Sequence, residues 1–246
     1  MIRHIEQISM NAWPSLQTIL YDGWILRFAK GVTRRANSIN PIFGSNIQVD
    51  KKIKYCENLY SSRGLPAIYK LTHDIFPSDL DNILADLGYE KDADTSVQIM
   101  DINRFNRMED NSIKLSEKLN DNWLDRFIGF NNYEKAKKTG FQNILEQIAF
   151  KKCFLDLKAN DQIIGCGLGV LEEKYIGIFD IVVDPQFRKK GYGQKIVEAI
   201  IQWGYENGAM KAYLQVMLNN PTALRLYEKI GFKEVYNYWY RIKSIV

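Results

Sequence analysis

The sequence is short of the residues on which many active sites are built: its 246 residues include two histidines, three cysteines and six prolines. His4 and His73 have no partner near them in the chain, so ordinary surface or core roles fit both. Cys56, Cys153 and Cys166 are odd in number, widely spaced and outside any CxxC or Cys/His cluster, so they read as reduced thiols and no metal site is expected. No apolar run approaches the roughly 18 residues that a membrane span needs. The opening stretch MIRHIEQISMNAWP also lacks the apolar core of a signal peptide. The expectation is a cytoplasmic protein with no membrane partner. Charge of one sign is lacking too: 33 basic residues face 29 acidic ones, for a net charge of +4. The pairs Arg34-Arg35, Lys51-Lys52, Lys137-Lys138 and Lys151-Lys152 are scattered, as solvated faces are, and no nucleic-acid-binding pattern accompanies them. No nucleic-acid partner is expected.

What is present is apolar residue in quantity, 46% of the chain, enough for one large core or two ordinary ones. The polar stretch NRFNRMEDNS, residues 103–112, separates two halves with similar patterns, and predicts domains at 1–104 and 112–246 joined by a linker at 105–111. Within the halves Gly23, Pro41 and Gly64 stand 144 positions before Gly167, Pro185 and Gly208. Further on, ILADLGYEK (83–91) falls on LYEKIGFKE (226–234) at an offset of 143, which points to a duplicated unit.

In the C-terminal copy, residues 163–171 and 175–183 are apolar and β-branched, as buried strands are. Ile196, Val197, Ile200, Ile201 and Trp203 recur at helical spacing until Gly208. The strand AYLQVML follows, then a helix from about Pro221 and an aromatic, alternating end, FKEVYNYWYRIK, that predicts a terminal strand pair. Residues 115–150 carry helical patterns.

The segment VVDPQFRKKGYGQK joins a strand to a helix, and there the chemistry can be named. A helix start leaves about four N–H groups without partners and carries roughly half a positive charge, which suits a pyrophosphate. Gly191 and Gly193 let backbone approach phosphate oxygens, while Arg188, Lys189 and Lys190 add positive charge. The loop is neither the Walker pattern nor the GxGxxG dinucleotide pattern.

Arg188-Lys-Lys-Gly191-Tyr-Gly193, followed by Asn220-Pro-Thr-Ala223-Leu-Arg-Leu226-Tyr227-Glu-Lys-Ile-Gly231-Phe232, resembles the [RQ]xxGx[GA] and NxxAxxLYxxxGF motifs of the GNAT acetyltransferase superfamily. The resemblance covers about residues 112–246. It implies tandem α/β GNAT-like domains, each a mixed, mostly antiparallel twisted sheet flanked by helices, and acetyl-coenzyme A as cosubstrate. By resemblance, the strand end Ile181, Val182, Val183 offers backbone groups to the acetyl and pantetheine portion. The loop Arg188, Lys189, Lys190, Gly191, Tyr192, Gly193, Gln194 would hold the pyrophosphate. Asn220 would contact the cofactor, with Asn219 as an alternative. Tyr227 would protonate the departing thiolate during direct attack by an amine. Some members carry a glutamate on the strand before the asparagine, where this chain has Gln215, so the base stays unassigned among Asp180, Glu172, Glu173 and water. Gln215 also keeps open a non-catalytic acyl-coenzyme A sensor as an alternative. The acceptor is a small-molecule or protein amine, and the oligomeric state is open.

In the N-terminal copy the cradle positions hold Ile47 and Val49, and the position of Tyr227 holds Leu84, which predicts a degenerate domain without a cofactor of its own. Its segment 23–41, with Trp24, Arg34, Arg35, Asn37 and Ser38, is similar to the N-terminal portions of some two-domain members and suits either a structural role or an acceptor lining.

Overall fold

A computed structural model describes residues 1–102 and 110–244. In chain order the elements are α1 (Ile2–Ala12), β1 (Gln17–Tyr21), β2 (Trp24–Phe28), β3 (Ile39–Pro41), α2 (Val49–Ser61), β4 (Ala67–Thr72), α3 (Leu80–Asp86) and β5 (Glu90–Asp101). They continue with β6 (Ile113–Ser116), α4 (Asp121–Phe130), α5 (Lys138–Glu146), β7 (Lys151–Ala159), β8 (Gln162–Glu172), β9 (Tyr175–Val183), α6 (Tyr192–Glu206), β10 (Lys211–Met217), α7 (Pro221–Ile230) and β11 (Lys233–Lys243). The chain end expected as a strand pair is therefore one long strand.

Two compact units result, and they do not follow a single cut. The first gathers Met1–Ser96, Met217–Asn219 and Tyr236–Val246, and the second Val97–Val216 and Asn220–Val235. The division expected at 105–111 falls mostly on residues 103–109, outside the described residues. The expected domain 112–246 differs from this division in that residues 217–219 and most of the last strand, from Tyr236 on, group with the first unit. The strand's pairing gives the reason: β11 runs antiparallel to β4 from Tyr238↔Thr72 to Lys243↔Ala67.

In the first unit the strand order is β1-β2-β3-β4-β11. Trp24, Leu26, Phe28 and Tyr69 on its strands bury against Ile53, Cys56 and Tyr60 of α2. The Tyr60 hydroxyl donates to the carbonyl of Arg27 at 3.0 Å and accepts from its N–H at 3.2 Å, tying helix to strand. α1 is anchored by a buried ion pair, Glu6 to Lys70 of β4 at 2.6 Å, and the Tyr236 hydroxyl donates to the same carboxylate at 2.7 Å. Unpaired, either charge would be costly to bury.

In the second unit, which β5 enters at Val97, the order is β5-β10-β9-β8-β7-β6, antiparallel throughout β6 to β9 and parallel between β9 and β10. α6 packs on β8 and β9 through Ile196, Val197, Ile200 and Ile201, all fully buried. Glycines make that approach possible. A Cβ on Gly165, Gly167 or Gly169 of β8 would lie 2.7–2.8 Å from atoms of Ile181, Ile196 or Ile200. α4 covers the other face, where Trp123 lies edge-on to Phe154, its indole N–H donates to the carbonyl of Leu155 at 3.0 Å, and Asn120 caps the helix by accepting from the N–H of Trp123 at 2.9 Å.

At Gly204 of α6 an added Cβ would stand 2.7 Å from the Cβ of Ile176. Glycine in a helix costs roughly 0.5–1 kcal/mol relative to alanine, whereas overpacking costs about 1–3 kcal/mol. A Cβ held by backbone cannot swing aside, so the clash wins. Gly204→Ala should lower stability by about 1–2 kcal/mol in chemical denaturation; a gain would show that α6 can lift from the sheet without cost.

Candidate active site

Strand β9 pairs with β10 from Tyr175↔Lys211 to Ile178↔Leu214, and there the ladder stops although both strands run on. Residues 179–183 of β9 are left with an edge that has no strand partner among the described residues. The opposite edge stays bonded to β8 but changes register: Leu168 faces Phe179 and Cys166 faces Val182, so Gly167 meets two residues, Asp180 and Ile181. Asp180 takes φ 54°, the left-handed region that a side chain rarely enters. This is a β-bulge, which adds local twist and bends the strand as the ladder to β10 ends.

The hydrogen-bond alternation decides which backbone groups face the opened edge. The N–H of Asp184 donates to the carbonyl of Ile164 at 2.8 Å, making 184/164 a bonded pair of the β8–β9 ladder. Two positions back, Val182 against Cys166 is bonded as well, and Val183 turns its N–H the other way. Of the three strand residues expected to serve a cosubstrate through backbone, Val182 spends its groups on β8, while Val183 turns its N–H to the opened edge and its carbonyl accepts from Arg188.

Beyond Val183 the chain makes a short turn, in which Asp184 accepts from the N–H of Gln186 at 2.9 Å, and enters the glycine loop. Lys189 at φ 63° and Gly191 at φ 82° are both left-handed, a backbone alternation that gathers successive N–H groups into a concavity suited to an anion. Gly191 is the N-cap of α6 and brings no side chain to cap it, and the first helical bond runs from the N–H of Lys195 to the carbonyl of Gly191 at 3.2 Å. The N–H groups of Tyr192, Gly193 and Gln194 therefore lack a helical acceptor. A Cβ on Gly191 would meet nothing within 4 Å, so the loop faces open space.

The basic residues divide. Arg188 folds back, its Nε donating to the carbonyl of Val183 at 3.0 Å, and links the loop to the strand end. Lys190 lies over the Phe187 ring at 5.5 Å, and both lysines of the loop are exposed. Gln194 commits its side chain to Glu198 at 2.7 Å, which leaves its backbone as the part available. Lys195, which the motif did not single out, pairs with Asp110 at 2.7 Å; that bond and the Ser112 hydroxyl hold the Asp110 carboxyl down at about 2.

α7 reaches the same place. Gly193 packs against Leu226, whose Cδ2 would be 3.4 Å from an added Cβ, and Tyr227 follows on the helix. Asn220 caps α7, its Oδ1 accepting from the N–H of Ala223 at 3.1 Å. Gly231 at φ 114° ends the helix, and the N–H of Phe232 returns to the carbonyl of Tyr227 at 3.0 Å. Tyr227 is half-buried, edge-on to Phe232 at 6.0 Å between ring centres, and its hydroxyl makes no hydrogen bond among the described residues. Burial pushes its pKa up to about 12, so at neutral pH it is a phenol with its proton in place.

The carboxylates considered as bases separate by position. Glu172 pairs with Tyr175 at the far end of the hairpin, and Glu173 lies in its turn. Five residues of strand, about 16 Å, part that end from Asp180, which sits at the bulge. Asp180 is near enough to Cys166 to help raise that thiol's pKa, although burial is the larger cause.

The first unit repeats the scaffold without these features. The N–H of Tyr89 returns to the carbonyl of Leu84 at 2.9 Å, the same closure as Phe232 onto Tyr227, but Leu84 is a fully buried core residue. Gly64 and Gly208 both follow the helix before a strand, at φ 65° and 94°. Gly23 and Gly167 are not equivalent: the former turns the β1–β2 hairpin and the latter lies within β8. Segment 23–41 is spent internally. The indole of Trp24 donates to the carbonyl of Phe76, Arg34 pairs with Asp92 at 2.6 Å, Arg35 lies over Trp13, and Asn37 accepts from the N–H groups of Ala29 and Gly31.

Residues 1–241 match the family described as probable histone acetyltransferase Rv0428c, C-terminal. The chain is a GNAT-family N-acetyltransferase. It is 31% identical to the uncharacterized N-acetyltransferase YobR of Bacillus subtilis over 98% of both chains. Among solved structures, its fold is similar to a GCN5-related N-acetyltransferase from Kribbella flavida, with TM-score 0.74 at 9% identity, covering 99% of this chain and 96% of that one. It is also similar to a tandem GNAT protein from the clavulanic acid biosynthesis pathway, with TM-score 0.63 at 9% identity, covering 98% and 87%. The mixed, mostly antiparallel sheet with flanking helices is the fold of these acetyltransferases.

Because the space before Gly191 is open, Gly191→Val puts a branched side chain where an anion would approach, and also strains a left-handed position. The variant should bind acetyl-coenzyme A at least tenfold more weakly in calorimetry. An unchanged dissociation constant in a folded variant would remove the loop from the site.

Proposed function

We propose that this enzyme moves the acetyl group of acetyl-coenzyme A to a primary amine by direct attack, at one site per chain, in the second unit. The observation that carries the reading is the opened edge of β9 running directly into the glycine loop. Val183 supplies an N–H donor for a thioester oxygen, and the loop supplies donors for the pyrophosphate. GNAT acetyltransferases use acetyl-coenzyme A, and the donor set present here fits it: backbone N–H groups and lysines for the phosphates, and an unpaired strand edge for the amide-bearing arm.

In the step itself the amine nitrogen forms a bond to the carbonyl carbon and the carbon–sulfur bond breaks. The Val183 N–H bears on the oxygen as negative charge gathers there, and Tyr227 gives its hydroxyl proton to the departing sulfur. The nitrogen loses its proton to a base, for which Asp180 is better placed than Glu172 or Glu173, or to water. Solvent returns a proton to Tyr227. The acceptor is a small-molecule or protein amine; the name of the matched family, a histone acetyltransferase, favours trying protein amines alongside small ones.

Tyr227→Phe keeps the ring and removes the proton donor, so folding and cofactor affinity should hold while the chemical step slows by roughly 10²–10⁴. Single-turnover measurement, with an acceptor taken from an amine panel screened for coenzyme A release, reads that step apart from product release. With its pKa near 12, Tyr227 should add no alkaline loss of activity below the ordinary phenol range of about 10. A wild-type rate in Tyr227→Phe would return the residue to core packing.

A further inference from the structure

In the first unit the loop that stands in the place of the glycine loop already holds an anion, and the anion is part of the chain. The correspondence rests on structure: α2, Gly64 and β4 repeat the order of α6, Gly208 and β10, and the chain enters α2 through residues 43–48 as it enters α6 through 187–191. Asp22, in the tight turn between β1 and β2, directs its carboxylate into that loop. It accepts from the N–H of Asn46 at 3.0 and 3.1 Å, from the N–H of Ile47 at 2.8 Å and from the Ser45 hydroxyl at 2.8 Å. Gly23 lets the turn come so close: at φ 81°, a Cβ there would strike the carbonyl oxygen of Phe43 at 2.8 Å.

The countercharge is supplied from below. Lys52 of α2 is fully buried, and its ammonium donates to the carbonyl of Asp22 at 2.5 Å and to the Ser45 hydroxyl at 2.8 Å. It stands 3.3 Å from the Asp22 carboxylate and 4.1 Å from the centre of the Trp24 ring. The backbone N–H groups of Ile47 and Asn46, then the Ser45 hydroxyl, hold the Asp22 carboxyl well below the usual carboxylate range. A buried ammonium that would be costly alone is satisfied by a carboxylate, a carbonyl, a hydroxyl and an aromatic face.

We propose that Asp22 is a built-in stopper: its carboxylate occupies the anion position of the first unit's loop and keeps phosphate groups out. Two N–H donors and a hydroxyl are already committed, and a fixed negative charge repels an incoming one. The first unit thus lost its cofactor site by replacing the ligand with a side chain as well as by losing its glycines. The inference rests on the reading of the second unit as the only acetyl-coenzyme A site.

The test uses the full chain with the second unit saturated by acetyl-coenzyme A and inorganic pyrophosphate as probe, read by the amide resonances of Asn46 and Ile47. In the wild type these should not respond to pyrophosphate. In Asp22→Ala, which leaves the donors and the Lys52 ammonium uncompensated, they should shift on titration, with pyrophosphate bound at least tenfold more tightly than by the wild type. Asp22→Ser, which keeps a polar group in the turn, should give the same response and serves if the alanine variant does not fold. A folded variant of either kind whose two amides ignore pyrophosphate overturns the proposal, as would a wild-type response. Failure of the one-site reading would show separately, as a second acetyl-coenzyme A equivalent bound by the wild-type chain.

Discussion

The pairing of β9 with β10 ends at Ile178 and Leu214, and the function proposed for the second unit depends on that interruption. A continued ladder would consume the N–H of Val183 and close the edge of residues 179–183. An unpaired backbone donor costs about 1–3 kcal/mol where it is buried, and Asp180 in a left-handed conformation adds roughly 1–3 kcal/mol. The fold bears this because the rest of β9 is held on its other edge by β8 and beneath by α6, whose isoleucines sit on the glycines of β8. The strain lies at the point where a cosubstrate's amide-bearing arm would be most useful.

The same packing sets the loop. α6 approaches closely because Gly165, Gly167, Gly169 and Gly204 leave room, and that approach places its N-terminus just past the end of β9. Arg188 then bonds to the carbonyl of Val183, coupling loop to strand, and Gly193 rests against Leu226, coupling loop to the helix that carries Tyr227. The open edge of β9, the glycine loop and the helix that carries Tyr227 are thus connected through two short contacts. In the first unit the equivalent helix and strand persist, but Leu84 fills the tyrosine's position and Asp22 fills the loop.

Much of this was legible in the sequence because it is local. The period of Ile196, Val197, Ile200 and Ile201 marks α6, the glycines mark its entry, and Asn220 with Gly231 marks both ends of α7. What was not legible is set by pairing between distant residues. The bulge at Asp180 and the end of the β9–β10 ladder are matters of register, which no single strand encodes. The last strand joins the first unit because it pairs with β4, more than 160 positions earlier in the chain. Asp22 carries no motif, and only the fold brings it to Asn46 and Ile47. The spacing of Gly23 to Gly167 fitted the repeat, yet the two do different work, since a constant offset reports sequence and not geometry.

Hydrogen exchange at single amides of β9 tests the role given to this edge most directly. With acetyl-coenzyme A bound, exchange at Val183 should slow markedly, while Val182, already bonded into the β8 ladder, should change little. Slowing confined to Val182, or no change at Val183 in a chain shown to be saturated, would contradict the account.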